Sequence, residues 1–236
     1  MNLSDDHKKI IDFWDSALKL SDEDKSEARG YSADDWQAMA PSEKLLKAAA
    51  SLGACEKVLD YGCGNAWAGI IAARSGCKAV TAVDPAPGAA DTAKLYAEVF
   101  GAKDRMEILC AGGEWLAKVP SETYDGFICS NVLDVVLPET AEEILREVSR
   151  IVKKGAPVII GMNYYVSPEA AAAKGIELQN GNLLHVDGVL RMVSRSDEEW
   201  TQIFGKGFKV ECLEHFAWPG EPEERRRLFY LRNGLE

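Results

Sequence analysis

Asp60 closes the short apolar run Lys57 to Asp60 and is followed at once by Tyr61-Gly62-Cys63-Gly64-Asn65-Ala66. Two glycines in such a bend let backbone approach a ligand that any Cβ would push away. A second carboxylate, Asp84, ends the next apolar run, Ala79 to Val83, and lies twenty residues beyond Gly64. That is close to the ~20-residue offset at which an acid meets ribose hydroxyls in nucleotide-binding folds. The pair points to an adenosine-containing ligand. A dinucleotide fingerprint needs Gly or Ala at position 67, so that a helix N-terminus can approach the strand and receive a pyrophosphate. The chain has Trp67 there. Asp60 would also repel phosphates but suits a ligand carrying an ammonium and a sulfonium. A nicotinamide-linked oxidoreductase is therefore a poor fit.

The elements that position these residues alternate. Strand-like runs at 57–60, 79–83, 106–110, 126–129 and 157–161 are separated by helical stretches at 66–75, 89–100 and through Ile144, Leu145, Val148, Ile151 and Val152. Regular βα alternation with short links implies a parallel sheet covered by helices on both faces. Ahead of it, Ile10, Ile11, Trp14, Ala17 and Leu18 fall on one stripe of a helix that must pack on something. A further helix is expected to open at Pro41-Ser42 and end near Gly53. Trp14, Tyr31 and Trp36 are read as packing residues of this N-terminal region. Beyond Tyr165 the runs 183–186 and 189–193 flank Asp187-Gly188, a dipeptide suited to the type I′ turn of a hairpin. Ser196 begins a capping box for a helix through Trp200 and Ile203, and two further strand-like runs follow at 208–216 and 228–231. Arg225-Arg226-Arg227, balanced by Glu221, Glu223 and Glu224, reads as a solvated turn. The expected division is an N-terminal helical cap over 1–54 and a core over 55–236 with a hairpin insertion at about 166–195.

The 236 residues carry 27 Lys and Arg against 38 Asp and Glu, a formal charge of −11, which disfavours a basic grip on nucleic acid. A hydrophobic share of 47% excludes bulk disorder. No run of residues approaches the ~18–20 apolar positions of a membrane span, and MNLSDDHKKI carries acids where a secretory signal would be basic and then apolar. A cytoplasmic protein with no membrane partner is expected. The six cysteines show no zinc-like spacing and read as free thiols, with no metal site indicated.

The stretch Val58 to Ala66 resembles the first motif of the class I S-adenosylmethionine-dependent methyltransferases, D/E-x-G-x-G-x-G. Residues 60–64 match it, and Ala66 stands where the third glycine is usual, a methyl group there being tolerated if φ is negative. The resemblance extends over about residues 55–165, through Val83-Asp84-Pro85, the loop Ala111-Gly112-Gly113-Glu114-Trp115-Leu116, the strand 124–131 and the run LREVSRIVKKGAPVIIG. It implies a three-layer α/β sandwich with a seven-stranded Rossmann-like sheet, six strands parallel and the last antiparallel. It implies S-adenosylmethionine as the cofactor. Asp60, Tyr61, Gly62, Cys63, Gly64 and Ala66 would hold the methionine moiety, and Asp84 with Pro85 the ribose. Gly113, Glu114 and Trp115 would border the adenine, and Ser130 and Asn131 would close the site beneath the sulfonium. Helices ahead of the core often cover the cofactor in that family, which puts Tyr31 forward as a contact.

A sulfonium methyl donor is already activated, so the enzyme mainly holds two reactants at attack distance, an effect worth ~7–11 kcal/mol. A general base adds ~10²–10⁴-fold where the acceptor carries a proton. Asp134 just past the fourth strand, His185 on the hairpin and Tyr165 with Tyr164 after the fifth strand are the candidates, ahead of His7 and His215. The Asn/Asp-Pro-Pro-Tyr/Phe motif of amide and adenine methylation is absent, since Ser130-Asn131-Val132-Leu133 stands in its place. A small-molecule acceptor is thus expected, in a monomer or homodimer. Methylation of RNA or protein, and a non-enzymatic S-adenosylmethionine-binding protein, are the alternatives.

Overall fold

The computed structural model describes residues 5–234, so the first four and last two residues of the segments expected above lie outside it. Helices α1 (Asp5–Leu18), α2 (Asp22–Ala28) and α3 (Glu43–Ser51) precede the sheet, with a 3-10 turn at Ala33–Met39 between the last two. Serines set these starts. Ser21 and Ser42 accept hydrogen bonds from the third backbone N–H of α2 and α3. The βα alternation then runs β1 (Lys57–Tyr61), α4 (Trp67–Arg74), β2 (Ala79–Asp84), α5 (Pro87–Val99), β3 (Met106–Cys110), α6 (Gly113–Leu116), β4 (Gly126–Ser130), α7 (Pro138–Ile151) and β5 (Pro157–Met162). Next come α8 (Pro168–Ala173), β6 (Leu178–Gln179), β7 (Leu183–Val186), β8 (Val189–Val193), α9 (Asp197–Phe204), β9 (Phe208–Phe216) and β10 (Arg226–Asn233).

Seven strands form one sheet in the order β3-β2-β1-β4-β5-β10-β9. All neighbours pair in parallel except β10, which runs antiparallel to both β5 and β9. One face buries Phe127, Val148, Trp200, Phe204 and Phe229; the other buries Leu45, Ile70, Ile71, Ala93 and Leu228. Buried on both sides, the central strands can be apolar along their whole length, as Val58-Leu59 and Val158 to Ile160 are. The strand order reverses between β1 and β4. There the connections leave on opposite faces and open a crevice at the carboxyl ends of the strands.

Three local expectations change. The insertion after β5 holds more than a hairpin: α8 and the short β6 precede the β7–β8 pair, giving a three-stranded sheet. Its turn is of the expected kind, with φ of 52° at Asp187 and 75° at Gly188. Strand β10 begins at Arg226, so the basic run is not a solvated turn. Arg226 and Arg227 are both buried and only Arg225 faces water. The third change is at Ala66, which caps α4 at φ 59°, ψ 25° in the left-handed region rather than at negative φ. The turn needs that conformation to leave β1 and enter α4, which gives a physical reason for glycine being usual there. A larger, branched side chain would combine this strain with crowding at a fully buried position. Ala66→Val is expected to lose ~1–3 kcal/mol in denaturant unfolding, while Ala66→Gly stays within ~1 kcal/mol of the parent because relief of strain offsets the lost methyl.

Candidate active site

At the crevice between β1 and β4, a cavity of about 310 Å³ opens over the strand tips. Its floor is built from Asp60, Gly62, Cys63 and Gly64 after β1, Asp84 and Pro85 after β2, and Ser130 and Asn131 after β4. The two carboxylates come together because β1 and β2 pair in register, Asp60 beside Ala82 and Tyr61 beside Val83. Backbone fixes both. Gly69 of α4 donates to Asp60 Oδ2 at 2.8 Å. Asp84 accepts from Gly64 at 2.9 Å through Oδ2 and from Ala86 at 2.9 Å through Oδ1. Burial raises both carboxyls above their ordinary range, Asp60 to about 7, and their mutual repulsion adds to the shift at Asp60.

The glycines earn their place differently from each other. At Gly62 (φ 64°) a Cβ would lie 2.4 Å from Val132, so it is the protein's own β4 loop that comes close. At Gly64 (φ 54°) the nearest atom to such a Cβ would be Leu18 Cδ1 at 3.7 Å, and the backbone conformation is what favours glycine.

The roof is α1, which presents His7, Ile10, Ile11, Trp14 and Leu18 to the cavity. This is what its apolar stripe packs on. Asp15 accepts from the Gly88 N–H at the head of α5, the Leu18 carbonyl accepts from Thr92 Oγ1 at 2.8 Å, and Ile10 packs with Leu190 and Val193 of β8. Pro41, Trp67, Val135, Val136 and Trp218 complete the walls. Trp67 thus borders the ligand space where a dinucleotide site would have a small residue. No Lys or Arg lines the cavity among the described residues, and its walls are mainly apolar.

Residues 59–160 match the family model described as a methyltransferase domain. This stretch, from β1 to β5, is a methyltransferase domain. Its fold is shared with an S-adenosylmethionine-dependent methyltransferase of Methanosarcina mazei (TM-score 0.62, 16% identity, 76% of this chain and 93% of that one covered). The N-methyltransferase NodS of Bradyrhizobium japonicum WM9, solved with S-adenosyl-L-homocysteine, is similar at TM-score 0.58 and 16% identity, covering 80% and 84% of the two chains. The [4+2]-cyclase SpnF is as close in fold, at TM-score 0.60, 15% identity and 82% of each chain. No curated protein sequence matches the chain significantly.

The cavity chemistry fits S-adenosylmethionine. Two buried carboxylates with no basic side chain but His7 on the wall favour a cation and disfavour a pyrophosphate. Several expected contacts lie elsewhere. Tyr31 stacks on Phe100 with ring centroids 6.4 Å apart and bonds Glu27, away from the cavity. Tyr61 is in the core beneath the sheet tip, and Ala66 is buried behind the glycine bend. In the loop expected to border the adenine, Glu114 accepts from the Gly112 N–H, Trp115 packs on the core, and neither these nor Gly113 line the cavity.

None of the three catalytic candidates lines it either. Asp134 is fully buried, accepts from the Asn163 N–H at 2.8 Å and lies within the field of buried Arg227. It ties the β4 loop to the end of β5. Asp134→Ala is expected to cost ~1–3 kcal/mol in thermal or denaturant unfolding, by orphaning the Asn163 N–H. His185 faces Leu190 within the inserted sheet, and its Nδ1 is buried without a hydrogen-bond partner. Tyr165 borders a separate open recess with Tyr164, Asp197 and His215. The histidine that reaches the cavity is His7. The signal for it was the apolar stripe of α1, since His7 lies one helical turn or so before Ile10 and Ile11 on the same face.

Proposed function

We propose that the protein transfers the methyl group of S-adenosylmethionine to a small-molecule acceptor. The observation that carries this reading is the covered cavity. Helix α1 closes over the strand tips, and the enclosed space, about 310 Å³, is at the lower end of the ~300–1,000 Å³ typical of small-ligand pockets. A polymer would have to displace that roof, and the net charge of −11 offers nucleic acid no counter-surface.

In this reading Asp60 and the Gly62–Gly64 bend hold the amino-acid end of the cofactor, and Asp84 accepts from its ribose hydroxyls. Each Asp84 oxygen already binds one backbone N–H, which fixes the carboxylate plane and leaves a lone pair on each oxygen for a hydroxyl. Ser130 and Asn131 lie across the bend. When bound, S-adenosylmethionine supplies an electrophilic methyl on a sulfonium. The chain's share is to orient the acceptor, exclude water under α1 and give the site its negative field. Six free thiols suit a reducing, cytoplasmic setting. Calorimetry with S-adenosylmethionine, S-adenosylhomocysteine and NAD tests the cofactor site. Incubation of a metabolite extract with isotopically labelled methyl donor tests the acceptor class: label in small molecules supports the proposal, and label confined to RNA or protein overturns it.

A further inference from the structure

Away from the crevice, at the starts of the strands, Cys55 and Cys77 stand at matching places, two residues ahead of β1 and two ahead of β2. Contacts bracket the pair on both sides. Beyond them lies the first rung of the ladder, where the Ala79 N–H donates to the Glu56 carbonyl at 3.0 Å and Lys57 is in register with Ala79. Before them lie Gly53 and Gly76, whose backbones press together. A Cβ on Gly53 would meet the Ser75 carbonyl oxygen at 2.5 Å, and one on Gly76 would meet the Gly53 oxygen at 3.1 Å. The chain on either side of Cys55 is therefore packed against the chain on either side of Cys77. Both side chains also turn to the same face of the sheet, into the cluster that holds Leu52, Val58 and Val80. Both are free thiols, and neither lines the cavity over the strand tips.

Neighbouring strands lie ~4.8 Å apart, within the ~4.4–6.8 Å between Cα atoms that a disulfide spans. What holds the two sulfurs apart is weak. Cys55 Sγ donates to the Asp125 carbonyl at 3.3 Å and Cys77 Sγ to the Ala79 carbonyl at 3.2 Å; thiols are poor donors, so rotating each side chain gives up little. We infer that Cys55 and Cys77 form a reversible disulfide, which staples the starts of β1 and β2 when the protein meets an oxidised small-molecule disulfide. Two exchanges make the bond. Cys55, half-buried where Cys77 is buried, meets the reagent first. Its sulfur bonds to one sulfur of the reagent, whose S–S bond breaks, and the departing sulfur takes up a proton in place of the one Cys55 has lost. Cys77 then attacks the Cys55 sulfur of this mixed disulfide, and the second half of the reagent leaves as a thiol. The two cysteines lose two electrons and two protons, and the reagent gains both as it becomes two thiols. Burial, the Asp125 carboxylate and Cys77 hold the Cys55 thiol at about 11, so thiolate is scarce at neutral pH and exchange there is slow. The loop that the bond closes, residues 56–76, carries β1, the glycine bend and α4. The staple lies at the opposite end of these strands from Asp60 and Asp84 and needs no cofactor, so its test stands apart from the methyl-transfer reading.

The test incubates the full chain with bis(2-hydroxyethyl) disulfide at about pH 8.5, where more of the Cys55 thiol is ionised. Remaining thiols are blocked with iodoacetamide, and unreduced peptides are mapped by mass. A pair of peptides joined through Cys55 and Cys77 is expected, and dithiothreitol should separate them. Cys110 and Cys212 are exposed and take up the reagent separately, which the map distinguishes. The linked protein should melt ~5–10 °C above the reduced protein, because the bond restricts the unfolded chain. Cys77→Ala should keep the reagent on Cys55 and show no such rise. Since the linked peptide is read on the unaltered chain, a loss of fold in the variant does not obscure it. Cys55 and Cys77 left unlinked after Cys110 and Cys212 have reacted, a bond from either of them to another cysteine instead, or a melting temperature that linkage leaves unchanged overturns the inference.

Discussion

Asp84→Ala is expected to lower affinity for S-adenosylhomocysteine by two decades or more and to destabilise the ligand-free protein as well. The first effect follows from the proposed ribose role. Hydrogen bonds to a charged group are worth ~1.5–3 kcal/mol each, so losing two removes roughly two to four powers of ten in binding. The second effect is independent of any ligand. Asp84 accepts from Gly64 and Ala86, and its removal leaves two backbone donors at the sheet edge without an acceptor. Each orphaned donor costs ~1–3 kcal/mol where water cannot replace the partner. Melting the ligand-free variant measures that cost, and calorimetry on the fraction that stays folded measures the affinity. A variant that melts early but binds with parental affinity would remove Asp84 from the ligand site and leave it as the clasp of the glycine bend.

The parts of this fold legible in the sequence are those where one physical rule dominates. Apolar runs ending in acids and glycines marked β1, β2 and their crossovers, because buried parallel strands tolerate little else. The Asp187-Gly188 turn was legible because two successive residues at positive φ admit few residue types. The capping box at Ser196 acts through the next three residues alone. What stayed hidden depends on contacts far apart in the chain. Nothing local to Arg226 shows that Glu221, Asn163 and Trp218 converge on it, so three arginines beside three glutamates look solvated when two of them are buried. Asp134 has the sequence position of an acceptor-side acid, yet the Asn163 N–H and the Arg227 charge draw it into the interior. The floor of the site was legible from β1, β2 and β4, while its roof was not. The stripe of α1 announced a buried face without saying that part of this face borders ligand space. Tyr31 was put forward because helices ahead of the core often cover the cofactor in the resembled family, but a phenylalanine ring at the end of α5 holds it outside.

Affinity for S-adenosylmethionine should fall about tenfold for each pH unit below about 7, to roughly a hundredth by pH 5. The cause is Asp60. Burial, opposed by the Gly69 N–H and reinforced by the charge of Asp84, holds its carboxyl at about 7 in the ligand-free protein. A ligand bearing a sulfonium and an ammonium favours the ionised carboxylate, so below that value a proton must leave before the ligand is held. Asp84 is raised as well and contributes in the same direction, which makes Asp60→Asn the necessary comparison. That variant should bind more weakly at neutral pH and with a visibly shallower pH slope. The stability of the ligand-free protein carries the same group with the opposite consequence. Its folded value of about 7 exceeds the ordinary 3.8, so the folded state holds the proton more tightly than the unfolded chain. The stabilisation from this carboxyl is therefore fully present below about pH 3.8 and disappears as pH rises through about 7. It amounts to about 4 kcal/mol at ~1.36 kcal/mol per unit. Saturating S-adenosylmethionine should return stability at pH 8, where the site is ionised and binding is strongest. Calorimetry between pH 5 and 8 reads the first trend, and thermal melts with and without ligand read the second. An affinity that is flat over that range, or equally steep in Asp60→Asn, would mean that the buried carboxylate at the tip of β1 does not face the cationic end of the cofactor.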